Sequence, residues 1–339
     1  MTIKDIARLA RVSVSTVSRS LNDSAEVSPE TRRRVLEIAR KVGFEQNAGA
    51  RSLVTRRVGT IGVILPDDFD QFTTQLYHSS LHNHLRRSLE RSDFDLIVGF
   101  SRNRSTGENS IRKLVNRRKV DGLILIVSSI DEETEHYLKE LDMPYVYAHY
   151  PPATSRGDVD WVYVDHFRGG MLVGDFFLRQ GYRRVAAVGN TEALLEFEMR
   201  MDGLQSVLRR RDEAIEVLTF RCDGSYEEGY ELGLTRIEEL RRVEAVFAVT
   251  DLAAIGLIHA VQQRGGLSVP DDIAVVGYDD SPLAGRLRPR LTTVRQPVEE
   301  VAFLTCERLV EMIEDRRTGR PHASRQIALQ PRLVERETT

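Results

Sequence analysis

At 339 residues, with 41% hydrophobic and 29% charged side chains, the chain is too long for one compact core and suits a small head joined to a larger body. It holds no apolar stretch of membrane-spanning length, and its N-terminus is a charged helix without the apolar core of a signal peptide, so a cytoplasmic protein with no membrane partner is expected. The net charge of −3 conceals an asymmetry: residues 1–57 carry 12 Lys and Arg against 6 Asp and Glu, net +6, and the remainder carry 36 against 45, net −9, as expected when one end meets phosphate.

The first predicted helix opens on Thr2-Ile3-Lys4-Asp5, a hydroxyl cap with an acid three residues on, and runs through Ile6, Leu9 and Ala10 on one face. Arg11 and Val12 make a tight turn, and Ser13 caps a second helix that ends near Asn22. Two short helices joined in this way form a helix-turn-helix, whose second helix fits the major groove of DNA. Spacing turns Val17 and Leu21 toward Ile6 and Leu9, and leaves Val14, Ser15, Ser18, Arg19 and Asn22 outward. Arg19 can make a bidentate contact to guanine, the serines can bond bases or phosphates, and Val14 can touch a thymine methyl. A helical cap with a merely solvated polar face is the alternative, and the basic charge of this end favours DNA. A third helix starts at Ser28 and Pro29 and runs through Val35, Ile38 and Val42 to Gly43.

Beyond residue 57 the pattern changes to strands alternating with helices. Thr60–Leu65 is a buried strand, followed by a helix over 75–91, a strand over 94–100, a helix over 108–118 and strands over 122–127 and 145–148. A second round has a helix over 169–180 and strands over 185–188, 217–220, 245–249 and 273–277. Such alternation means parallel sheets, and two doubly wound lobes in tandem leave a cleft with ligands beyond the carboxyl ends of the strands. Asp279 and Asp280 follow one such strand, where a carboxylate can accept from two adjacent hydroxyls of a polyol or serve only as a strand-end cap. Asp165 is read as the cap of the helix holding Gly169 and Gly170.

Several words are specific enough to name a family. They are Thr2-Ile3-Lys4-Asp5-Ile6-Ala7, Val12-Ser13 with Thr16-Val17-Ser18-Arg19, Leu21-Asn22, Val27-Ser28, Asn47 with Ala50-Arg51-Ser52-Leu53, Val120-Asp121-Gly122, Val276-Gly277-Tyr278-Asp279-Asp280 and Leu291-Thr292-Thr293-Val294-Arg295-Gln296-Pro297. In this order they resemble the lactose-repressor/galactose-repressor (LacI/GalR) family of transcriptional regulators across nearly the whole chain. The resemblance implies a small all-α helix-turn-helix head on an α/β body of two periplasmic-binding-protein-like lobes. It divides the chain into a DNA-binding domain over 1–45, a hinge over 46–57 and an effector-binding and dimerisation domain over 58–339. Lobe 1 would hold 58–163 and 297–325, and lobe 2 would hold 164–294 and 326–334, with crossings near 162–164, 294–296 and 326–329. DNA contact falls to Thr2, Ser13, Val14, Ser15, Thr16, Ser18, Arg19 and Asn22, and in the hinge to Asn47, Ala50, Arg51 and the minor-groove wedge Leu53. Arg200 matches the family arginine that reaches ligand oxygens, joined by Asp279, Thr250 and, as the ring-stacking position, Phe72.

The function so implied is a sequence-specific DNA-binding regulator of carbohydrate or related genes. It would be a homodimer on a pseudo-palindromic double-stranded operator, controlled by a sugar or related hydroxylated effector, with no cofactor and no metal. Departures limit the ligand assignment: Asp68-Phe69-Asp70-Gln71-Phe72-Thr73 replaces the usual Asn-Pro-Phe-Phe, Thr250-Asp251 replaces Asn-Asp, and Gly224 stands where an aromatic is common, with Tyr226 nearby. Glu192, Glu196 and Glu198 before Arg200 disfavour a strongly anionic ligand unless they face solvent. In the hinge, Gln46 replaces a proline and Gly49 weakens the helix, which fits a segment that folds on DNA and equally a flexible tether. A transporter's solute-binding module is disfavoured by the basic head. A Rossmann-like enzyme is disfavoured because no phosphate-binding Gly-rich loop, nucleophile elbow or metal cluster is present. His78, His82 and His84 are expected on a solvated or dimer-facing helix, Arg209-Arg210-Arg211 as a solvated cluster, and Cys222 and Cys306 as ordinary thiols. Dimer against tetramer, and induction against co-repression, stay open.

Overall fold

Six side chains hold the head together. In the computed structural model, which describes residues 1–21, 26–44, 57–65, 72–103, 105–150, 159–189, 195–209 and 215–339 apart from the side chains of 72–75, the head consists of α1 (Ile3–Ala10), α2 (Val14–Leu21) and α3 (Pro29–Lys41). Each start follows its local chemistry. The Asp5 carboxylate accepts from Thr2 N at 2.9 Å, Ser13 Oγ from Thr16 N at 3.1 Å, and Ser28 Oγ from Thr31 N at 3.3 Å beside Pro29. Ile6, Ala7 and Ala10 then pack on Val17, Val35 and Ala39. Leu9 departs from its expected place in this core, being 50% exposed. The buried arc of α1 is centred on Ala10, and Leu9 falls one step, about 100°, behind it.

The body forms two six-stranded sheets. The first holds β1 (Thr60–Leu65), β2 (Asp95–Phe100), β3 (Gly122–Leu125), β4 (Tyr145–His149), β5 (Asp160–Val164) and β11 (Gln326–Leu329), all parallel, in the order β11-β5-β4-β3-β1-β2. The second holds β6 (Arg184–Val188), β7 (Glu216–Phe220), β8 (Ala245–Ala248), β9 (Ala274–Asp279), β10 (Thr292–Arg295) and β12 (Arg332–Val334), in the order β12-β10-β9-β8-β6-β7, with only β12 antiparallel. Because helices cover both faces, the central strands are apolar along their length, and every residue of β1, β3 and β8 is buried. The first lobe carries α4 (Phe72–Arg91), α5 (Ser110–Asn116), α6 (Glu132–Glu140) and α12 (Val298–Thr318); the second carries α7 (His166–Gln180), α8 (Leu195–Leu208), α9 (Tyr226–Thr235), α10 (Ile237–Leu240) and α11 (Asp251–Gln263).

The chain passes between the sheets after β5, after β10 and between β11 and β12. The first lies beside 162–164 and the second beside 294–296. The third departs from the sequence reading: Gln326–Leu329, expected as the crossing and as lobe 2, is β11 and pairs with Trp161–Val164 in the first sheet, so the crossing falls at Gln330-Pro331. An alternating stretch of four residues does not reveal which sheet edge it joins.

One helix contact places Arg200 directly. A Cβ on Gly170 would lie 1.9 Å from Arg200 O, and one on Gly203 would lie 2.0 Å from Phe167 O, so only glycine lets α7 and α8 touch backbone to backbone. That approach sets Arg200 at the mouth between the lobes.

Candidate functional site

On the head, α2 presents an outward face of Val14 (42% exposed), Ser15 and Arg19. Ser13, Ser15 and Thr16 share their hydroxyls at 2.7 Å, and Ser18 is half-buried. Thr2 is exposed at the start of α1. Arg19 Nε lies 3.1 Å from Glu26, a solvent-facing pair worth roughly 0–1 kcal/mol that a base edge can displace. Asn22, Asn47, Ala50, Arg51 and Leu53 lie outside the described residues.

Between the lobes, Asp279 ends β9 at φ +117, a backbone conformation rare for a side chain other than glycine. Its Oδ1 accepts from Gln296 Nε2 at 2.7 Å and lies 3.9 Å from Arg200 Nη1. Arg200, 2% exposed, donates to Val249 O at 2.6 Å and stacks 3.8 Å over the Tyr278 ring, with Nε 3.4 Å from His166 Nδ1. Beneath it Asp251 accepts from Thr293 Oγ1 at 2.5 Å and Ser281 N at 2.6 Å. Burial pushes both carboxyls well above the usual carboxylate range. Arg200 opposes the rise at Asp279, and the Asp279 charge adds to it at Asp251.

The first lobe answers with aromatic and imidazole rings. Tyr77 on α4 packs 4.3 Å from His149, the last residue of β4, which itself sits at φ +78. His149 faces His166 across the lobe boundary at 5.6 Å, and His166 Nδ1 lies 3.2 Å from Tyr278 Oη. Burial drives both imidazoles well below their usual pKa, so they are neutral acceptors or donors at pH 7. Among the described residues, buried Tyr77 Oη, His149 Nδ1, His166 Nε2 and Gln296 Oε1 have no hydrogen-bond partner. Each such group costs roughly 1–3 kcal/mol unless something satisfies it, and four converge on one place. A cavity of about 60 Å³ lies among Tyr77, Asp251, Asp279 and Ser281, and a wider groove of about 660 Å³ leads from Asp279 and Gln296 past His84, Arg87 and Phe303.

The structure brings Arg200 and Asp279 together as the sequence implied. The Thr250 hydroxyl accepts from Ala253 N at 3.1 Å as the cap of α11 and donates its proton to Gly224 O at 2.6 Å, so toward a ligand it can act only as an acceptor. Phe72 opens α4, and its side chain lies outside the described residues. Gly224 (φ +85) has no room for a ring, since a Cβ there would meet Thr250 and Phe197 at 2.9–3.0 Å. Tyr226 instead bonds His259 Nδ1 at 2.9 Å. Glu196 is buried, Glu198 faces solvent, and Glu192 lies outside the described residues. His78 is corrected from a solvated or dimer-facing position to the interior, 2% exposed and 5.5 Å from His149. Asp280 pairs with Arg336 at 2.5 Å and with Arg295, a fastening of the strand end. Tyr77, His149, His166 and Gln296 escaped the sequence reading. His149 and His166 each follow or end a parallel strand, the signal that could have found them.

Cys222, Asp223 and Glu228 gather their potential metal ligands within 4.8 Å. Glu228 is spent on Asp223 N at 2.6 Å, and burial lifts the Cys222 thiol to about 12, a protonated thiol and a poor ligand.

Comparison with known proteins agrees with both halves of the molecule. Residues 2–47 match the model of bacterial regulatory proteins of the lacI family, and residues 175–339 match that of the periplasmic binding protein-like domain. Catabolite control protein A of Staphylococcus xylosus is 30% identical over 344 residues, covering 100% of this chain and 99% of its own. A solved transcriptional regulator CelR–cellobiose complex superposes with a TM-score of 0.68 at 26% identity, covering 100% of both chains. The lac repressor dimer bound to operator and the anti-inducer ONPF superposes with a TM-score of 0.80 at 22% identity, covering 100% of this chain and 98% of that one. A helix-turn-helix head, two doubly wound lobes and a polar cleft between them, matched end to end by such a relative, mean that this chain belongs to the lacI family of DNA-binding transcriptional regulators.

Proposed function

We propose that this regulator is a homodimeric, cytoplasmic repressor without catalytic activity, which reads a pseudo-palindromic operator and is switched by a neutral, hydroxylated effector, a sugar or close derivative, held between the lobes. One helix α2 reads half a site, and a twofold mate supplies the other half. The observation that carries the effector class is the set of buried polar atoms around Asp279. A carboxylate and a guanidinium face each other beside the unpartnered Tyr77 Oη, His149 Nδ1, His166 Nε2 and Gln296 Oε1. Adjacent hydroxyls, each both donor and acceptor, satisfy such a mixed set without bringing a charge. Buried Glu196 near Tyr77 weighs against an anion. The CelR–cellobiose complex, a relative that covers the whole chain, supports the same class.

The cavity of about 60 Å³ adjoins at Asp279 a groove of about 660 Å³, which is within the range of ordinary ligand sites, and an effector that prefers one lobe arrangement there links the cleft to the head. The head spans 1–45 with Thr2, Ser13, Val14, Ser15, Thr16, Ser18, Arg19 and Asn22 toward DNA, the hinge 46–57, and the body 58–339. In the site, Arg200 and Asp279 bind hydroxyls, His149, His166 and Gln296 complete the hydrogen bonding, and Tyr77 offers a ring face; Phe72 remains the stacking residue proposed from the sequence. The test has two arms. A thermal-shift screen of sugars, sugar acids and sugar phosphates should find a neutral sugar that raises the melting temperature by mass action. The same compound should change operator retention on a native gel. A screen won only by phosphorylated or acidic compounds would refute the effector class.

A further inference from the structure

The end of the first sheet opposite the cleft is where the chain emerges toward the head. Asp121, at the entry to β3, accepts from Val58 N at 2.8 Å and Gly59 N at 2.6 Å. Arg57 lies 4.1 Å over the Phe94 ring and donates to Ser92 O at 3.3 Å. Before Asp121, and separated from it by buried Val120, runs the turn Arg117-Arg118-Lys119, all three side chains exposed, with Arg118 at φ +48. Of the other cations on this end, Arg316 pairs with Asp142 at 3.7 Å, Arg317 with Glu314 at 2.8 Å and Arg320 with Asp315 at 3.0 Å. Among the described residues no carboxylate lies within 4.0 Å of the charged atoms of Arg117, Arg118 or Lys119; Glu108, which feels the Arg117 charge, is held by Lys113 at 2.6 Å.

We infer that Arg117, Arg118 and Lys119 form a second contact to DNA, a sequence-independent one, on phosphates of the duplex that the head reads. Only twelve residues separate Phe44 from Arg57, so a head seated in the major groove tethers this face within at most about 45 Å of the same duplex, near enough to reach its flanks. B-DNA carries a negative charge every ~1.7 Å of axis, and three exposed cations near it release counterions without adding base preference. Cations near the end of α5 also favour its dipole, but that role would appear in stability and not in salt dependence.

The full chain carrying R117Q, R118Q and K119Q decides this, titrated by fluorescence anisotropy against a selected operator duplex with and without about ten flanking base pairs per side. The wild type should prefer the flanked duplex. The variant should lose that preference, bind about tenfold more weakly at moderate salt, and show a plot of log affinity against log salt shallower by ~0.9 for each phosphate no longer neutralised. R117K with R118K should behave as wild type. Should the triple variant melt early, Lys119→Glu alone is read on the same plot. An unchanged slope and length preference in a folded variant overturns the second contact. Failure of the wild type to bind any duplex would instead overturn DNA binding itself.

Discussion

Replacing Asp279 by Asn separates a ligand-binding carboxylate from a structural one, because the two roles move affinity and stability in opposite directions. Asn keeps the planar shape and tolerates positive φ better than other residues, so the strand end at φ +117 is conserved. Its carbonyl can still accept from Gln296 Nε2, now 2.7 Å from Oδ1. What disappears is the charge that faces Arg200 at 3.9 Å and that repels Asp251. Bonds from ligand hydroxyls to a carboxylate contribute about 1.5–3 kcal/mol each, so removing one weakens effector binding roughly 10- to 150-fold. Unfolding free energy should hold or rise, because a buried site then carries one negative charge fewer and Asp251 ionises at less cost. Operator affinity without effector should match wild type, and by reciprocity the DNA complex should ignore effector concentrations that switch the parent. Calorimetry on the compound found by screening gives the affinity, and urea melts give the stability. Unchanged affinity together with a loss of stability would show that Asp279 only fastens β9 to β10.

Arg19→Ala should cost roughly 1–3 kcal/mol at one base pair of each half-site and leave the melting temperature within about a degree or two, since its only described partner is exposed Glu26; competition with single-base operator variants reads this, and equal losses on random DNA would assign Arg19 to phosphate instead. Acidification should destabilise the protein through His149 and His166. Their folded pKa values lie below the ordinary ~6.5, so the unfolded chain takes up protons first, and stability complete above that pH is lost as pH falls toward the lowered values, by up to about 1.4 kcal/mol per unit per group. Asp251 and Asp279, shifted upward, act with the opposite sign, so the comparison is made against His149→Asn, whose melting temperature should gain on wild type between pH 7.5 and 5.5; a constant gap would refute the assignment. Asp121→Ala should free Val58 and Gly59 N–H at a cost of about 1–2 kcal/mol, and should blunt the effector's influence on operator binding while leaving effector affinity intact; preserved coupling on native gels would show that this anchor does not carry the signal.

Local chemistry alone determined the head and the alternation of the body. Ser13, Ser28 and Pro29 start helices through bonds within three residues, and a strand buried on both faces announces itself as an unbroken apolar run such as Thr60–Leu65. Arg200 and Asp279 were legible because they stand in recognisable words of the sequence. Leu9 was misplaced because helical spacing bounds a face without saying where its centre lies. The sheet to which Gln326–Leu329 belongs, the burial of His78, the donation of the Thr250 proton to Gly224 O and the meeting of Tyr77, His149, His166 and Gln296 were decided only by tertiary structure. Those residues lie up to 219 positions apart, from Tyr77 to Gln296, and nothing in one segment encodes the distance to another. They converge because strands from two sheets end at a common mouth, and because Gly170 against Arg200 lets two helices close until their backbones touch, which fixes the side chains beyond them.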